Sequence, residues 1–231
     1  MTITTEAFTV QPFTRSCHQI WDEGDHVLIG VSPGNSYFSA GRITELVRWA
    51  SARFSRIDIV YADLHVAELF GALGYEEDHA ARRASKELKA VRRRVLRGVE
   101  EADPQGTPVR VHGLSEFAGH PVYELLHRRV QHFLATDDNV RAGCERMAAH
   151  FLSSKIGGPV AGAEQLAACL DYISAELPFF LDTPGILGVP SSVSCYHVPI
   201  PLTDLLYAKG GGLRASRNQA HAVVRPEGIA A

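Results

Sequence analysis

The chain has 231 residues and a mass of 25.2 kDa, 45% apolar and 21% charged, with a mean hydropathy of −0.05. That composition can bury one core of ordinary size and excludes a disordered, collagen-like or membrane-spanning chain, since no window nears the ~18 uninterrupted apolar residues of a spanning helix. The formal charge of −3 hides an asymmetry: Arg82–Arg97 carries eight basic residues and one acid, Glu87, for +7, which leaves −10 on the remainder.

In chain order, the N-terminal MTITTEAFTVQPF lacks the basic start and apolar run of a secretory signal. Residues 1–20 are expected to be peripheral, as are 227–231. The first strand is Val27–Val31, and a helical pattern follows with Ile43, Leu46, Val47, Ala50 and Phe54 on one face. Ile57–Tyr61 is the second strand. Both strands are short, β-branched and apolar on both sides, as buried parallel strands are. Strand, helix, strand within about 35 residues is a βαβ unit, so the expected fold is α/β with a doubly wound parallel sheet. A long helix is predicted from Glu76 to Glu101, ended by the turn residues Asp103-Pro104-Gln105-Gly106. Val109–Val111 is a third strand. Helix then runs from Pro121 to about Leu152 with a break near Thr136–Asp138, and Gly157-Gly158-Pro159 closes it. Ala163–Leu177 is a further helix, stopped by Pro178. Strands at Val193–Val198 and Ala220–Val224 complete the pattern, with a mobile loop at Lys209–Gly212. There is no internal repeat and no linker, so residues 1–231 read as one domain.

Four groups of residues are candidates for chemistry. Gly30-Val31-Ser32-Pro33-Gly34-Asn35-Ser36-Tyr37 follows the first strand, where open parallel sheets bind ligands. The blander reading is a tight strand-to-helix turn. The same residues fit the G-x-S-x-G elbow of serine hydrolases, with Asp182 and His197 as triad partners. Against that, the elbow's oxyanion donor would be Pro33, which has no N–H, and only one strand precedes Ser32. The basic block is the second group. Ala84, Leu88, Val91 and Val95 form its apolar stripe, and Arg82, Lys86, Lys89, Arg93 and Arg97 lie opposite, with Arg83, Arg92 and Arg94 on the flanks. A solvated helix would balance its bases with acids at i,i+4. A one-signed stripe about 22 Å long suits a phosphate backbone, so a nucleic-acid partner is expected. Third, Tyr172 and Glu176 share a helix face; taken alone they read as an exposed pair, and the other reading is a phenol and a carboxylate that hold a cationic amine. Fourth, Tyr196-His197 ends the fourth strand and reaches Ser32 if that strand neighbours the first.

The 11 histidines and four cysteines (Cys17, Cys144, Cys169, Cys195) show no metal-ligand spacing and no C-x-x-C pair. Phosphate-binding glycine motifs are absent from the sequence. No metal and no cofactor are expected, and the cysteine usage reads as a reduced, cytoplasmic protein.

The ordered set of segments resembles the cyclodipeptide synthases, over roughly His26 to Pro226. It comprises HVLIGVSPGNSYFS, IVYADLH, the basic helix, Leu114-Ser115-Glu116, Cys144-Glu145-Arg146-Met147, DYISAELPFF, TPGILGVPSSVSCYH and QAHAVVRP. Asn35 with Tyr196-His197 resembles the signature of the subgroup named for an asparagine, a tyrosine and a histidine. The resemblance implies a Rossmann-like fold similar to the catalytic domain of class I tyrosyl- and tryptophanyl-tRNA synthetases. The chain lacks the H-I-G-H and K-M-S-K-S patterns those enzymes use for ATP. Amino acids would therefore arrive preactivated, as esters on tRNA. Ser32 would take the first aminoacyl group, Tyr172 and Glu176 would hold its amine, and a second aminoacyl-tRNA would give a dipeptidyl-enzyme that cyclises. Tyr196 would transfer protons, supported by Asn35 and His197. Arg82, Arg83, Lys86, Lys89, Arg92, Arg93, Arg94 and Arg97 would bind tRNA. By alignment, Leu28, Gly30, Val60, Leu114, Phe179, Phe180 and Ser194 would line a first, mainly apolar pocket, and Met147, His150 and Phe151 would approach a second. The expected protein is monomeric, and its product carries at least one hydrophobic residue. A non-catalytic aminoacyl-tRNA or RNA-binding module on the same fold, and a serine acyl hydrolase, are the alternative readings.

Overall fold

A computed structural model of the chain describes residues 3–4, 7–104, 106–156, 162–207 and 212–227. The loops expected at Gly157–Pro159 and Lys209–Gly211 lie outside these residues. The elements are β1 (Ile3–Thr4), β2 (Phe8–Pro12), α1 (Arg15–Glu23), β3 (His26–Val31), α2 (Ala40–Ser51), β4 (Arg56–Tyr61), α3 (Val66–Ala72), α4 (Glu77–Ala102) and β5 (Val109–Gly113). A 3-10 turn (Leu114–Phe117) then leads to α5 (Pro121–Thr136), α6 (Asp138–Ile156), α7 (Ala163–Leu187), β6 (Ser192–Tyr196), α8 (Thr203–Tyr207) and β7 (Gln219–Pro226).

The seven strands form one sheet in the order β1-β2-β7-β6-β3-β4-β5. Strands β3 to β7 pair in parallel, and β2 joins β7 antiparallel. The chain order turns back between β3 and β6, which is the switch point where such sheets bind ligands. Alternation along β3 sends Val27, Ile29 and Val31 into a core with Trp21, Ile43, Val47, Trp49 and Phe54 from α1, α2 and the turn after α2. Leu28 faces the other core, which α5, α6 and α7 cover. The long α4 supplies to these cores Ala84, Val91 and Val95 from its apolar stripe. Gly98 of α4 lies under Ile43, where a Cβ would sit 2.7 Å from that side chain, so glycine permits the close crossing of α2.

The expected break between α5 and α6 is a single residue. Asp137 leaves helical geometry (φ −119°, ψ 109°), and its side chain accepts the N–H of Asn139 and Val140 to cap the next helix. Two expectations are corrected. The N-terminal segment is not peripheral: β2 is a sheet strand whose Phe8 and Val10 are buried, and Cys17 and Trp21 of α1 join the core. The helix starting at Ala163 does not stop at Pro178 but runs to Leu187, with a kink at Asp182 (φ −158°, ψ 64°). Burial of Leu177, Phe179, Leu181 and Ile186 outweighs the proline penalty of about 3 kcal/mol. At the kink, the Thr183 N–H leaves the helix ladder for Gln219 Oε1 at 2.8 Å, and its hydroxyl donates to the Phe179 carbonyl.

Candidate active site

Ser32 stands one residue beyond β3, and Tyr196 ends β6 beside it, because Leu28 pairs with Ser194 in register. Their hydroxyl oxygens are 3.2 Å apart. Asn35 is fixed by its own loop. Its Oδ1 accepts the Tyr37 N–H at 3.0 Å, which turns Nδ2 toward Tyr196 Oη at 3.4 Å. Tyr196 therefore accepts from Asn35, and either hydroxyl of the Ser32–Tyr196 pair can donate to the other. Burial raises the Tyr196 pKa and lifts that of Tyr172 well above the ordinary phenol value, so both are neutral donors at physiological pH.

Behind Ser32 opens a cavity of about 310 Å³. Leu28, Gly30, Val60, Leu114, Phe179, Phe180 and Ser194 all line it. Met147 and Phe151 also line this cavity, Met147 lines a small second cavity as well, and His150 is exposed and outside both linings. Glu176 is part of the lining. It is enclosed by protein and hydrogen-bonded to Tyr172, which also bonds to Ser32. Burial raises the Glu176 pKa from 4.5 to about 7, against the opposing pull of the Tyr172 hydroxyl. An apolar cavity with a buried carboxylate in its wall is suited to an ammonium group.

The sheet carries a polar layer two residues below the cavity floor. Asp58, fully buried on β4, accepts from Arg56 Nε at 2.6 Å and lies 3.0 Å from both His26 Nε2 and His112 Nε2. His26 Nδ1 reaches Ser192 Oγ at 2.7 Å. Burial opposes ionisation of Asp58, but the bonds from His112, His26 and Arg56 outweigh it and hold the carboxyl far below its usual range. This network ties β3, β4, β5 and β6 together beneath Leu28, Val60 and Ser194.

The basic block lies along α4 as one exposed face. Arg82, Lys86, Lys89 and Arg93 project to solvent, with no carboxylate within ion-pair distance among the described residues. The other four have partners. Arg83 lies over the rings of Phe70 and Tyr75, Arg92 bonds to the Tyr61 hydroxyl, Arg94 pairs with Glu87, and Arg97 pairs with Glu101.

A family model described as cyclodipeptide synthase matches residues 8–226. The chain belongs to that family. The Cyclo(L-tyrosyl-L-tyrosyl) synthase of Mycobacterium tuberculosis is 50% identical over 226 residues, covering 96% of this chain and 78% of that protein. The Cyclo(L-leucyl-L-phenylalanyl) synthase of Streptomyces noursei is 40% identical over 212 residues, covering 91% and 89%. A solved M. tuberculosis structure, described as showing that cyclodipeptide synthetases are related to type I tRNA synthetases, superposes with a TM-score of 0.89. It is 49% identical and covers 98% of this chain and 96% of its own. The Rossmann-like sheet of this cyclodipeptide synthase is thus that of an enzyme family related to tRNA synthetases.

The hydrolase triad does not assemble in this synthase. His197 stacks on Tyr37 with centroids 4.0 Å apart, its buried Nδ1 has no partner among the described residues, and burial lowers its pKa to about 4. Asp182 instead accepts from Ser216 Oγ at 2.7 Å and from the Gly185 N–H. His197 lies behind Tyr196, with ring centroids 4.5 Å apart, and contributes packing rather than a wall of the cavity. Sequence reasoning missed Ala62, Cys169, Ile173 and Ile200, which also line the cavity. Three of the linings on α7 had a legible signal: Cys169, Ile173 and Glu176 fall at i, i+4 and i+7 on one helix face.

Proposed function

We propose that this synthase joins two amino acids delivered by aminoacyl-tRNAs, through an ester on Ser32. The observation that carries the reading is the placement of Ser32. It bonds to Tyr196, opens onto an apolar cavity that Glu176 helps to line, and has no imidazole bonded to it among the described residues. Such a serine is poor at attacking an unactivated amide but can exchange with an aminoacyl ester, whose acyl group is already activated. In the first step the Ser32 oxygen bonds to the acyl carbon, the bond to the tRNA ribose oxygen breaks, and the serine proton passes to that oxygen. The ammonium of the held aminoacyl group sits on ionised Glu176 with the Tyr172 hydroxyl beside it. In the second step the amine of a second aminoacyl-tRNA attacks the Ser32 ester, the peptide bond forms, and the serine oxygen leaves. Ser32 next takes the dipeptidyl group from the second tRNA. Its free amine then closes on the ester carbonyl, releasing the cyclic dipeptide and Ser32. Tyr196, held by Asn35, is placed to donate and recover the protons that these exchanges move.

The exposed stripe Arg82, Lys86, Lys89 and Arg93 supplies the phosphate contacts. The cavity favours a hydrophobic first side chain. The 50% identical relative, named for a tyrosine dimer, makes tyrosine the first choice. Ser194 offers a hydroxyl partner in the floor: its oxygen accepts from Gln219 Nε2 at 3.0 Å, which leaves its own hydrogen to donate. Expression in a bacterium followed by mass spectrometry of the medium tests this reading. A diketopiperazine that disappears with Ser32→Ala supports it, and product retained by Ser32→Ala contradicts it.

A further inference from the structure

One side chain joins the basic helix to the Ser32 loop. Glu87 is the single acid among the eight bases of Arg82–Arg97. Within so basic a segment a carboxylate weakens phosphate attraction, so its presence there needs a reason. Its Oε1 accepts the Gly34 backbone N–H at 2.9 Å and Arg94 Nη2 at 3.1 Å. Gly34 lies two residues after Ser32 and one before Asn35, in the left-handed conformation (φ 69°). Pro33 brings no N–H to this turn, and the bond closing it, from the Asn35 N–H to the Ser32 carbonyl, is long at 3.3 Å. The turn's own closing bond is thus a long one, and a hydrogen bond to a carboxylate oxygen on α4 braces the loop from outside.

We infer that Glu87 is a positioning residue that locks the Ser32–Asn35 loop to α4. Arg94, two turns along, holds the carboxylate in place from the helix side. Docking of a tRNA on α4 and placement of Ser32 are thereby referred to one rigid element. The inference rests on the reading of Ser32 as nucleophile and α4 as the tRNA-binding helix.

Two substitutions separate reach from charge. Glu87→Gln keeps an acceptor oxygen at the same reach and removes the charge. Glu87→Asp keeps the charge but withdraws the oxygens by about 1.5 Å, beyond hydrogen bonding to Gly34. Steady-state cyclic dipeptide formation is measured with tyrosyl-tRNA, alongside thermal unfolding of each variant. The expected result is a kcat about ten- to a hundredfold lower for Glu87→Asp at little-changed KM, the scale of a 1 Å misplacement. Glu87→Gln should hold kcat within about twofold of the parent and lower KM at low salt, because the basic segment Arg82–Arg97 loses its one negative charge. A kcat loss in Glu87→Gln, an unimpaired Glu87→Asp, or effects confined to KM would each overturn the inference. Should Glu87→Asp fail to fold, Glu87→Ala takes its place: a kcat lost with KM little changed supports the inference, and a kcat kept refutes it. Failure of the serine reading shows separately, as wild-type protein that makes product without an acyl group on Ser32. The Glu87 variants are then judged on product turnover.

Discussion

Replacing Glu176 with glutamine tests what burial has done to this carboxylate. Its pKa of about 7 in the folded protein stands against 4.5 when exposed, and each unit is worth 1.36 kcal/mol, so ionised Glu176 costs the unliganded fold about 3 kcal/mol. The sign follows from proton counting. Between pH 4.5 and 7 the folded state holds a proton that the unfolded chain has released, so this group's contribution falls as pH rises and is fully lost above pH 7. About 2.5 kcal/mol of the change lies between pH 5 and pH 8. Glutamine does not ionise. In urea denaturation, Glu176→Gln should therefore gain on the parent by about 2.5 kcal/mol on going from pH 5 to pH 8. Other titrating groups, such as His197 and His221, act in both proteins and cancel in the difference. The same substitution should shorten the life of the aminoacyl-enzyme by about ten- to a hundredfold, the value of a lost charge-assisted bond. A stability difference independent of pH would refute the burial argument, and an unchanged aminoacyl-enzyme would refute the amine anchor.

Neutralising Arg82, Lys86, Lys89 and Arg93 together should raise KM for aminoacyl-tRNA and reduce the salt slope of binding by about 3 to 4, read from filter-binding titrations; Arg97 alone, engaged by Glu101, should matter less. At Gly30 a Cβ meets nothing within 4 Å, so Gly30→Val should keep the fold by circular dichroism while the filled cavity shifts product away from aromatic residues in mass spectrometry. Asp58→Ala strands His26 and Arg56 without their shared carboxylate, and equilibrium unfolding at pH 7 should show a loss of about 3–5 kcal/mol.

The central strands were legible because β3 and β4 are apolar and β-branched on both sides, a pattern that solvent-facing strands do not need. From that came the switch point, and with it the meeting of Ser32 and Tyr196. The strand β2 was not legible: FTVQP is short, ends in proline and owes its place to pairing with a strand more than 200 residues away. The second half of α7 was hidden by Pro178 and Pro184, whose local penalty is overruled by burial that only the tertiary fold creates. The cavity residues were reached through the family resemblance, since Leu28 and Val60 alone look like ordinary core. The brace from Glu87 to Gly34 leaves no pattern in sequence, because a bond between residues 53 apart follows from the fold and not from spacing.

The central claim is an acyl group on Ser32 taken from tRNA, and trapping it is the most direct measurement. Purified protein mixed with radiolabelled tyrosyl-tRNA is quenched in acid, digested and mapped by mass spectrometry. The account predicts a tyrosyl ester on the peptide bearing Ser32, absent from Ser32→Ala, and cyclic dipeptide in the unquenched reaction. Product formed with no labelled protein, or with the label on another residue, would contradict it.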